Sequence, residues 1–511
     1  MADTRSESAP RNGANPSENL PAAEVYAVFG AEPEVLAYAM AKYSRSALSL
    51  KESLKEISRQ KAEKFLNTFY FQYGHRSIAD LAHVALAIER LSILAAIVVA
   101  DEPRWDGQER STRYQDFRKS GYYTPDFAND HRARELYTEA IRDLFSEYES
   151  HSGQILRYLS GTHPKPAEMK QEAYERTLRA RAFDVSRYLL PLATQTSVGE
   201  IVNARTLEMQ ISRLLSHTHT EVRHLGELLK RAAGSAAYDV NQESWRGLVE
   251  EIRGLSSELG ARAAGELLRE VRVSPTLVKY ADPNPYGIKT RQELGQIAAE
   301  LMNRRPIDPA PAVDLLDDEP IETELAATLL YEHCHYSYRQ IRRAVEDLGE
   351  SRRREIIDAG LIHRGEHDEM LRAFRAGYRF RFDILMDIGG FRDMHRHRRS
   401  IQIEQGFTVR HGYETPEQLK PAQALPQYIA AMERASQRVQ KLETRGGSEA
   451  AENAQYAIPL GFRKRTLFKM DFAEAVYISE LRSGPAGHFS YRHVAYRMFE
   501  EIRKRHPSLE K

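Results

Sequence analysis

The feature that most constrains the fold is a faint internal repetition. His75 and Ser77 in GHRS have counterparts His335 and Ser337 in CHYS, 260 positions on. Pro191 in YLLPLA matches Pro459 in YAIPLG at 268, and the segment from Arg213 to Arg223 resembles that from Arg482 to Arg492 at 269. Similar offsets at three separated landmarks point to a divergent duplication. The 511 residues give room for two cores. Glu109 and Glu404 lie 295 apart. If they correspond, the second copy carries about 35 extra residues before this glutamate, placed between Glu346 and Glu369. The first then carries about 27 extra before Pro191, most simply in the helices after His131.

The local patterns are mainly helical. Helices are expected over Glu32–Ser46, with Pro33 in the first turn, and over Leu50–Phe71. Two more span His131–Leu159 and Pro166–Leu190, and Pro191 stops the second. Gly199–Ala232 reads as a further helical region. His83–Ala100 reads as strand, buried helix, or one followed by the other. The first 22 residues are polar and rich in Ser, Asn and Pro, and are expected to be a disordered tail. The expected organisation is a first domain over 23–306 with helical additions, a Pro-rich acidic linker over 307–320, and a second domain over 321–511.

Lys+Arg and Asp+Glu are equal at 73 each, so bulk charge gives no drive toward nucleic acid or an anionic membrane. No apolar run is long enough to span a bilayer. The single cysteine, Cys334, rules out an intramolecular disulfide and a cysteine-rich metal site. It suits a reducing cytoplasm, the expected location. No metal is expected.

Three segments could carry chemistry. In QERSTRY, Glu109, Ser111 and Arg113 alternate, so an extended segment would point them to one side, where Arg113 could fork onto a phosphate. A charged surface turn is the plainer reading. In RDMHRHRR, Arg392, His395, Arg396, His397 and Arg398 form a dense cationic cluster in a balanced chain, and a helix would put Arg392 and Arg396 on one face. A phosphate-bearing ligand, an acidic partner surface or a solvated basic face accounts for that density. Arg213, His217 and Glu221 are spaced by four, so one helix face could carry all three. Asn203 and Arg205 precede them and could add amide and guanidinium donors. In the second copy Ser490 replaces Glu221.

These residues resemble the flavin-dependent thymidylate synthases, whose signature runs Arg-His-Arg, two residues, Ser, one residue, Asn-Glu, one residue, Ser, one residue, Arg. The first copy fits the later part with Gln108 for Asn, then Glu109, Ser111, Arg113 and Tyr114. Gly74, His75 and Ser77 resemble the family's Gly-His-x-Ser element, and Arg187 with Pro191 its Arg-x-x-x-Pro landmark. Asn203, Arg205, Arg213, Glu221 and Arg223 resemble its later Asn-x-Arg and Arg…Glu-x-Arg elements. Asp101, Glu102 and Pro103 stand where Arg-His-Arg belongs. The second copy is the reverse. Arg396, His397, Arg398 and Glu404 fit, while Ile401, Ile403, Gly406 and Thr408 replace the rest, and Asp471 or Phe472 occupies the Asn position.

The resemblance implies a helix-rich α+β protein made of two divergent copies of the family fold. It implies methylation of dUMP to dTMP, with FAD as cofactor and methylenetetrahydrofolate and NADPH as co-substrates. Glu109, Ser111, Arg113 and Arg213 would hold the nucleotide, with Ser111 and Arg213 nearest the chemistry. His75, Asn203, Arg205, Arg396, His397, Arg398 and Glu404 would hold the flavin. A homodimer of duplicated chains would stand in for the family's tetramer. Two other readings stay open: a related flavin enzyme acting on another pyrimidine nucleotide, and a non-catalytic nucleotide-binding or assembly protein of the same fold.

Overall fold

The computed structural model describes residues 28, 30–42, 49–56, 76–128, 130–303, 305–365, 368–445, 449–485 and 487–507. The N-terminal tail, His75 and most of the Leu50–Phe71 helix lie outside them. Helices α1 (Pro33–Ala41) and α2 (Leu50–Glu56) open the described chain. The first copy continues with β1 (His83–Ser92), α3 (Ile93–Ala100), β2 (Asp106–Glu109), α4 (His131–Thr162), α5 (Gln171–Ser186), β3 (Gln195–Asn203), α6 (Ala204–Leu215) and α7 (Thr220–Gly234). Helices α8 (Gln242–Leu255), α9 (Ser257–Leu267) and α10 (Pro285–Met302) follow. The second copy has β4 (Val313–Leu315), α11 (Ile321–Tyr331), α12 (Tyr338–Glu346), α13 (Glu350–Ala359), β5 (Phe380–Asp387), α14 (Ile388–Met394), β6 (Ile401–Glu404), α15 (Leu425–Glu443), α16 (Ala450–Gln455), β7 (Arg463–Met470), α17 (Phe472–Ser483) and α18 (Phe489–Arg505).

The two sheets are antiparallel and share one plan. The first runs β1-β3-β2 and the second β4-β5-β7-β6. Their registers coincide once the copies are aligned. Glu109 faces Val198 and Glu404 faces Thr466; Ser92 faces Gln195 and Asp387 faces Arg463. The offset is 295 on one strand of each pair and 268 on the other, as the landmarks require. One residue breaks the match. Arg90 has φ 62 and sits at a register shift between Glu89 and Leu91. The bulge absorbs one extra residue in the first copy and keeps Leu91 and Ser92 facing inward.

The copies meet about a pseudo-twofold axis at the two prolines. Pro191 and Pro459 face each other in an antiparallel bridge. Leu192 donates its N–H to Ile458 (2.9 Å), and Leu460 donates to Leu190 (2.9 Å). The relation extends outward. His219 packs edge-on to Tyr456 at 5.4 Å and His488 to Tyr188 at 5.7 Å. The hydroxyls of Tyr137 and Tyr428 donate to the carbonyls of Tyr123 and Glu414 respectively, each at 2.6 Å. One continuous apolar core joins both copies, from Val84 and Leu94 to Phe391 and Met498. A second core packs α10–α13 against β6 and β7.

Several local expectations change. The stretch from His83 is strand followed by helix, because Ser92 ends β1 and caps α3 through Ala95 N–H. The region from Gly199 opens as strand: β3 runs to Asn203, and the helices after it are separated by residues 216–219. The segment 307–320, read as a linker, contains β4, whose three residues are buried against β5.

The caps of α3 and α14 show compensated divergence. Ser92 donates its hydroxyl to Glu221 (2.6 Å), which also accepts Ser92 N–H (2.8 Å). In the other copy the acid sits at the cap. Asp387 accepts from Gly390 N–H and from the hydroxyl of Ser490. A Cβ at Gly390 would lie 2.9 Å from Ser490 Oγ, so glycine permits this approach. The loss of the Glu221 equivalent is thus a carboxylate moved to the facing residue. Replacing Glu221→Ser alone should lower stability by about 1–3 kcal/mol, since buried donors lose their acceptor. Adding Ser92→Asp should restore most of it. Thermal unfolding of the single and double variants checks this, and a double variant no more stable than the single contradicts it.

Candidate functional site

The two halves of the divided signature meet across the pseudo-twofold. Glu109, at the end of β2, forms an ion pair with the buried Arg392 of α14. A second Arg392 nitrogen donates to Thr112 Oγ1 (3.3 Å), and the buried Arg187 approaches the same hydroxyl at 3.5 Å. The Arg398 guanidinium lies 4.4 Å from the Trp105 ring centroid, a cation–π contact. Trp105, Glu109, Arg392, His395, Arg396 and Arg398 border a small cavity of about 20 Å³. Arg396 is exposed, and its guanidinium makes no ion pair or hydrogen bond among the described residues. Nε of Arg392, Nε of Arg398 and Nε2 of His395 are buried without hydrogen-bond partners, the last 3.9 Å from Asp101 Oδ1.

Local backbone shape decides which expected residues arrive. β2 ends at Glu109, and the chain then turns, so Glu109, Ser111 and Arg113 do not lie along one extended face. Ser111 Oγ accepts the N–H of Arg113 (3.2 Å). Arg113 points to Asp184 in a bidentate pair (2.7 and 3.1 Å) and donates to Tyr491 of the second copy (3.1 Å). It does not border the cavity that Arg396 borders. α14 ends at Met394, so Arg392 and Arg396 do not share a helix face, and Arg396 extends outward.

His397 is buried beneath the cluster. Arg482 Nε donates to His397 Nε2 (2.7 Å), and Nδ1 faces Glu474 at 3.3 Å. Burial and the adjacent Arg482 push its pKa down to about 3. A neutral ring that accepts from Arg482 and presents Nδ1–H to Glu474 satisfies both contacts. The divided motif therefore supplies two kinds of group: guanidiniums at the surface and a neutral imidazole holding Arg482 below.

The remaining expected residues have structural partners. Arg213 is not on one face with His217 and Glu221, because α6 ends at Leu215 and α7 begins at Thr220. Its guanidinium is paired with Glu102 (2.8 Å) and the carbonyl of Val98 (2.9 Å). Asn203 caps α6 through Thr206 N–H, and Asp471 is its equivalent on α17. Arg205 pairs with Asp80 and Glu369, both at 3.4 Å. Glu404 pairs with Lys464 (3.1 Å) and faces His395 (3.3 Å). Asp101, His395 and Glu404 each place an atom that could bind a metal within 4.8 Å of the others. The carboxylates already serve Arg372 and Lys464, so the group is an ion network. Burial raises Glu102 above the usual carboxylate range, with Arg213 opposing the shift.

The sequence profile of the Thy1 family, thymidylate synthase complementing protein, matches residues 27–237 and 316–508. The chain belongs to this family. The Thy1 profile thus covers both copies separately. A UPF0159 protein of Chlamydia muridarum is 28% identical over 93% of this chain and 89% of its own length. A UPF0159 protein of Thermoplasma acidophilum is 27% identical, over 92% and 93%. A flavin-dependent thymidylate synthase of Clostridium tetani is 26% identical over 49% of this chain and 83% of that protein, the span of one copy. A solved Helicobacter pylori flavin-dependent thymidylate synthase, complexed with FAD and dUMP, aligns at 15% identity and a TM-score of 0.27, over 40% of this chain and 89% of that one. No helix among the described residues is long and apolar enough to cross a membrane.

Sequence reasoning missed Asp184, Tyr491, Thr112 and Trp105. Tyr491 lies inside the Arg482–Arg492 landmark, but its contact with Arg113 depends on the twofold. The state of His397 gives a pH test. Its folded pKa of about 3 lies below the unfolded value of about 6.5, so the unfolded chain takes the proton first. The stability it contributes is complete above pH 6.5 and drains as pH falls toward 3, at up to about 1.4 kcal/mol per pH unit. His397→Asn keeps an acceptor for Arg482 and removes the titration. Its stability–pH slope between pH 4 and 6 should be shallower by about that amount, and an unchanged slope contradicts the assignment.

Proposed function

We propose that this Thy1-family chain is a flavin-dependent enzyme acting on a pyrimidine nucleotide, with one site built jointly by its two copies. The reaction to test first is the one the family resemblance implies, methylation of dUMP to dTMP using methylenetetrahydrofolate and NADPH. One observation carries the reading: Glu109 of the first copy lies against Arg392 of the second, beside Arg396 and Arg398. Glu109 of one incomplete signature thus lies beside the basic run of the other.

The donor set fits a phosphate-bearing cofactor such as FAD. Arg396 is exposed and without a partner among the described residues, and the Nε atoms of Arg392 and Arg398, which border the same cavity, are buried without hydrogen-bond partners. Such a group is stable with an anion beside it. Arg396 and Arg398 would hold the phosphates, while Glu109 fixes Arg392. The enclosed space is about 20 Å³, far below the size of a flavin ring. The ring would therefore lie over the outer face, against a second chain of a homodimer. When bound, the flavin supplies hydride transfer. The chain's own residues supply charge and orientation: Tyr491 and Asp184 fix Arg113, and neutral His397 orients Arg482.

A second reading, another pyrimidine nucleotide as substrate, is favoured by the pairing of Arg113 with Asp184 and of Arg213 with Glu102. Both guanidiniums expected on dUMP already have carboxylate partners. The test is dTMP formation from dUMP by the purified protein with FAD. Arg396→Ala should raise the flavin Kd at least tenfold without lowering the thermal midpoint. Arg113→Ala should raise the KM for the nucleotide while sparing flavin binding. Flavin binding that survives Arg396→Ala unchanged sinks the shared-site reading; flavin binding without dTMP formation selects another substrate.

A further inference from the structure

The pseudo-twofold creates a second cleft equivalent to the one just described, and its chemistry is reversed. Glu404, Gln402 and Asp101 occupy the places of Glu109, Gly107 and Arg396, each 295 positions away. Here the space is large, about 710 Å³, within the range of cavities that bury small organic ligands. Part of its wall comes from outside the duplicated units. Tyr280, Asn284, Gly287 and Arg291 line it, and they fall between the two segments matched by the family profile.

The charge of this cleft disfavours phosphate. Six carboxylates line it (Asp101, Glu208, Glu332, Asp368, Glu369 and Glu404) against four cationic groups. Arg213 is paired with Glu102, Arg372 with Asp101 and Lys464 with Glu404, while Arg291 donates to the carbonyl of Ser216; Asp101 and Glu404 are balanced in those pairs and Glu369 by Arg205, so the excess negative charge comes from the remaining carboxylates. His217 and His219 also line it, and burial pushes both down, His219 to about 4. They add no positive charge at neutral pH. The other surfaces are apolar, including Leu94, Ile97, Ile403 and Phe407, interleaved with Gln402 and Ser212. Such walls suit a planar ring with hydrogen-bonding edges.

We propose that this cleft binds an uncharged aromatic heterocycle, of nucleoside to riboflavin size, and rejects its phosphorylated form. An added phosphate would enter a carboxylate-rich space in which no lining cation lacks a partner, so desolvation and repulsion both oppose it. The proposal does not depend on catalysis at the first cleft.

Two probe pairs that differ only in a phosphate test it: thymidine with dTMP, and riboflavin with FMN, titrated calorimetrically into the full-length protein. Gly287→Phe assigns the binding to this cleft, because Gly287 lines it and a Cβ there meets no atom within 4 Å. At least one uncharged probe should bind, its phosphorylated partner should bind at least tenfold more weakly at the same site, and Gly287→Phe should abolish the binding. Glu332→Lys, at an exposed position, should narrow the phosphate discrimination about threefold with the fold intact. The proposal is overturned if neither thymidine nor riboflavin binds, if the phosphorylated partners bind as tightly at this site, or if binding persists in Gly287→Phe.

Discussion

The structure depends on the antiparallel contact at Pro191 and Pro459. Neither proline has an N–H to donate, so the reciprocal bonds are made by the flanking residues, Leu192 to Ile458 and Leu460 to Leu190. This contact puts the two copies about one axis and lets one apolar core run through both. An interface that separate chains would form by association is intramolecular here. Its effective concentration is fixed by the chain, so each copy can lose local groups that the other supplies.

That freedom accounts for how the copies diverged. Ser92 with Glu221, and Asp387 with Ser490, are the same cap with its carboxylate on opposite partners. The divided signature separated more completely. Its glutamate is kept beside Arg392, and its basic run is kept beside Trp105. In the equivalent cleft, Asp101 and Glu102 stand where the other copy has Arg396 and His397, and they take up Arg372 and Arg213 as partners. Negative charge at those positions removes free cations from one cleft while Arg396 has no partner among the described residues in the other. One cleft is small and cationic, the other large and rich in carboxylates.

The duplication was legible because landmark spacing survives when side chains change. The offsets of 268 and 295 reappear as strand register, and the one discrepancy is the bulge at Arg90. The helices after His131 and the stop near Pro191 were legible from periodicity and proline. Side-chain direction was not. Alternation suggested a single face for Glu109, Ser111 and Arg113, but β2 stops at Glu109 and the turn sends Arg113 to Asp184. The i, i+4 spacing of Arg213, His217 and Glu221 suggested one helix face, but a break at residues 216–219 separates them. Periodicity reports which positions would align within a continuous element and carries no information on where that element ends. Contacts between copies, such as Arg113 with Tyr491, depend on the twofold and leave no local pattern.

The two copies are proposed to complete one flavin site between them. Flavin content per chain, from absorbance of the purified protein reconstituted with FAD and freed of excess, measures this directly. Saturation is expected at one flavin per 511-residue chain. Saturation at two would mean that each copy has its own site, and no retained flavin would mean that the joined signature serves another purpose.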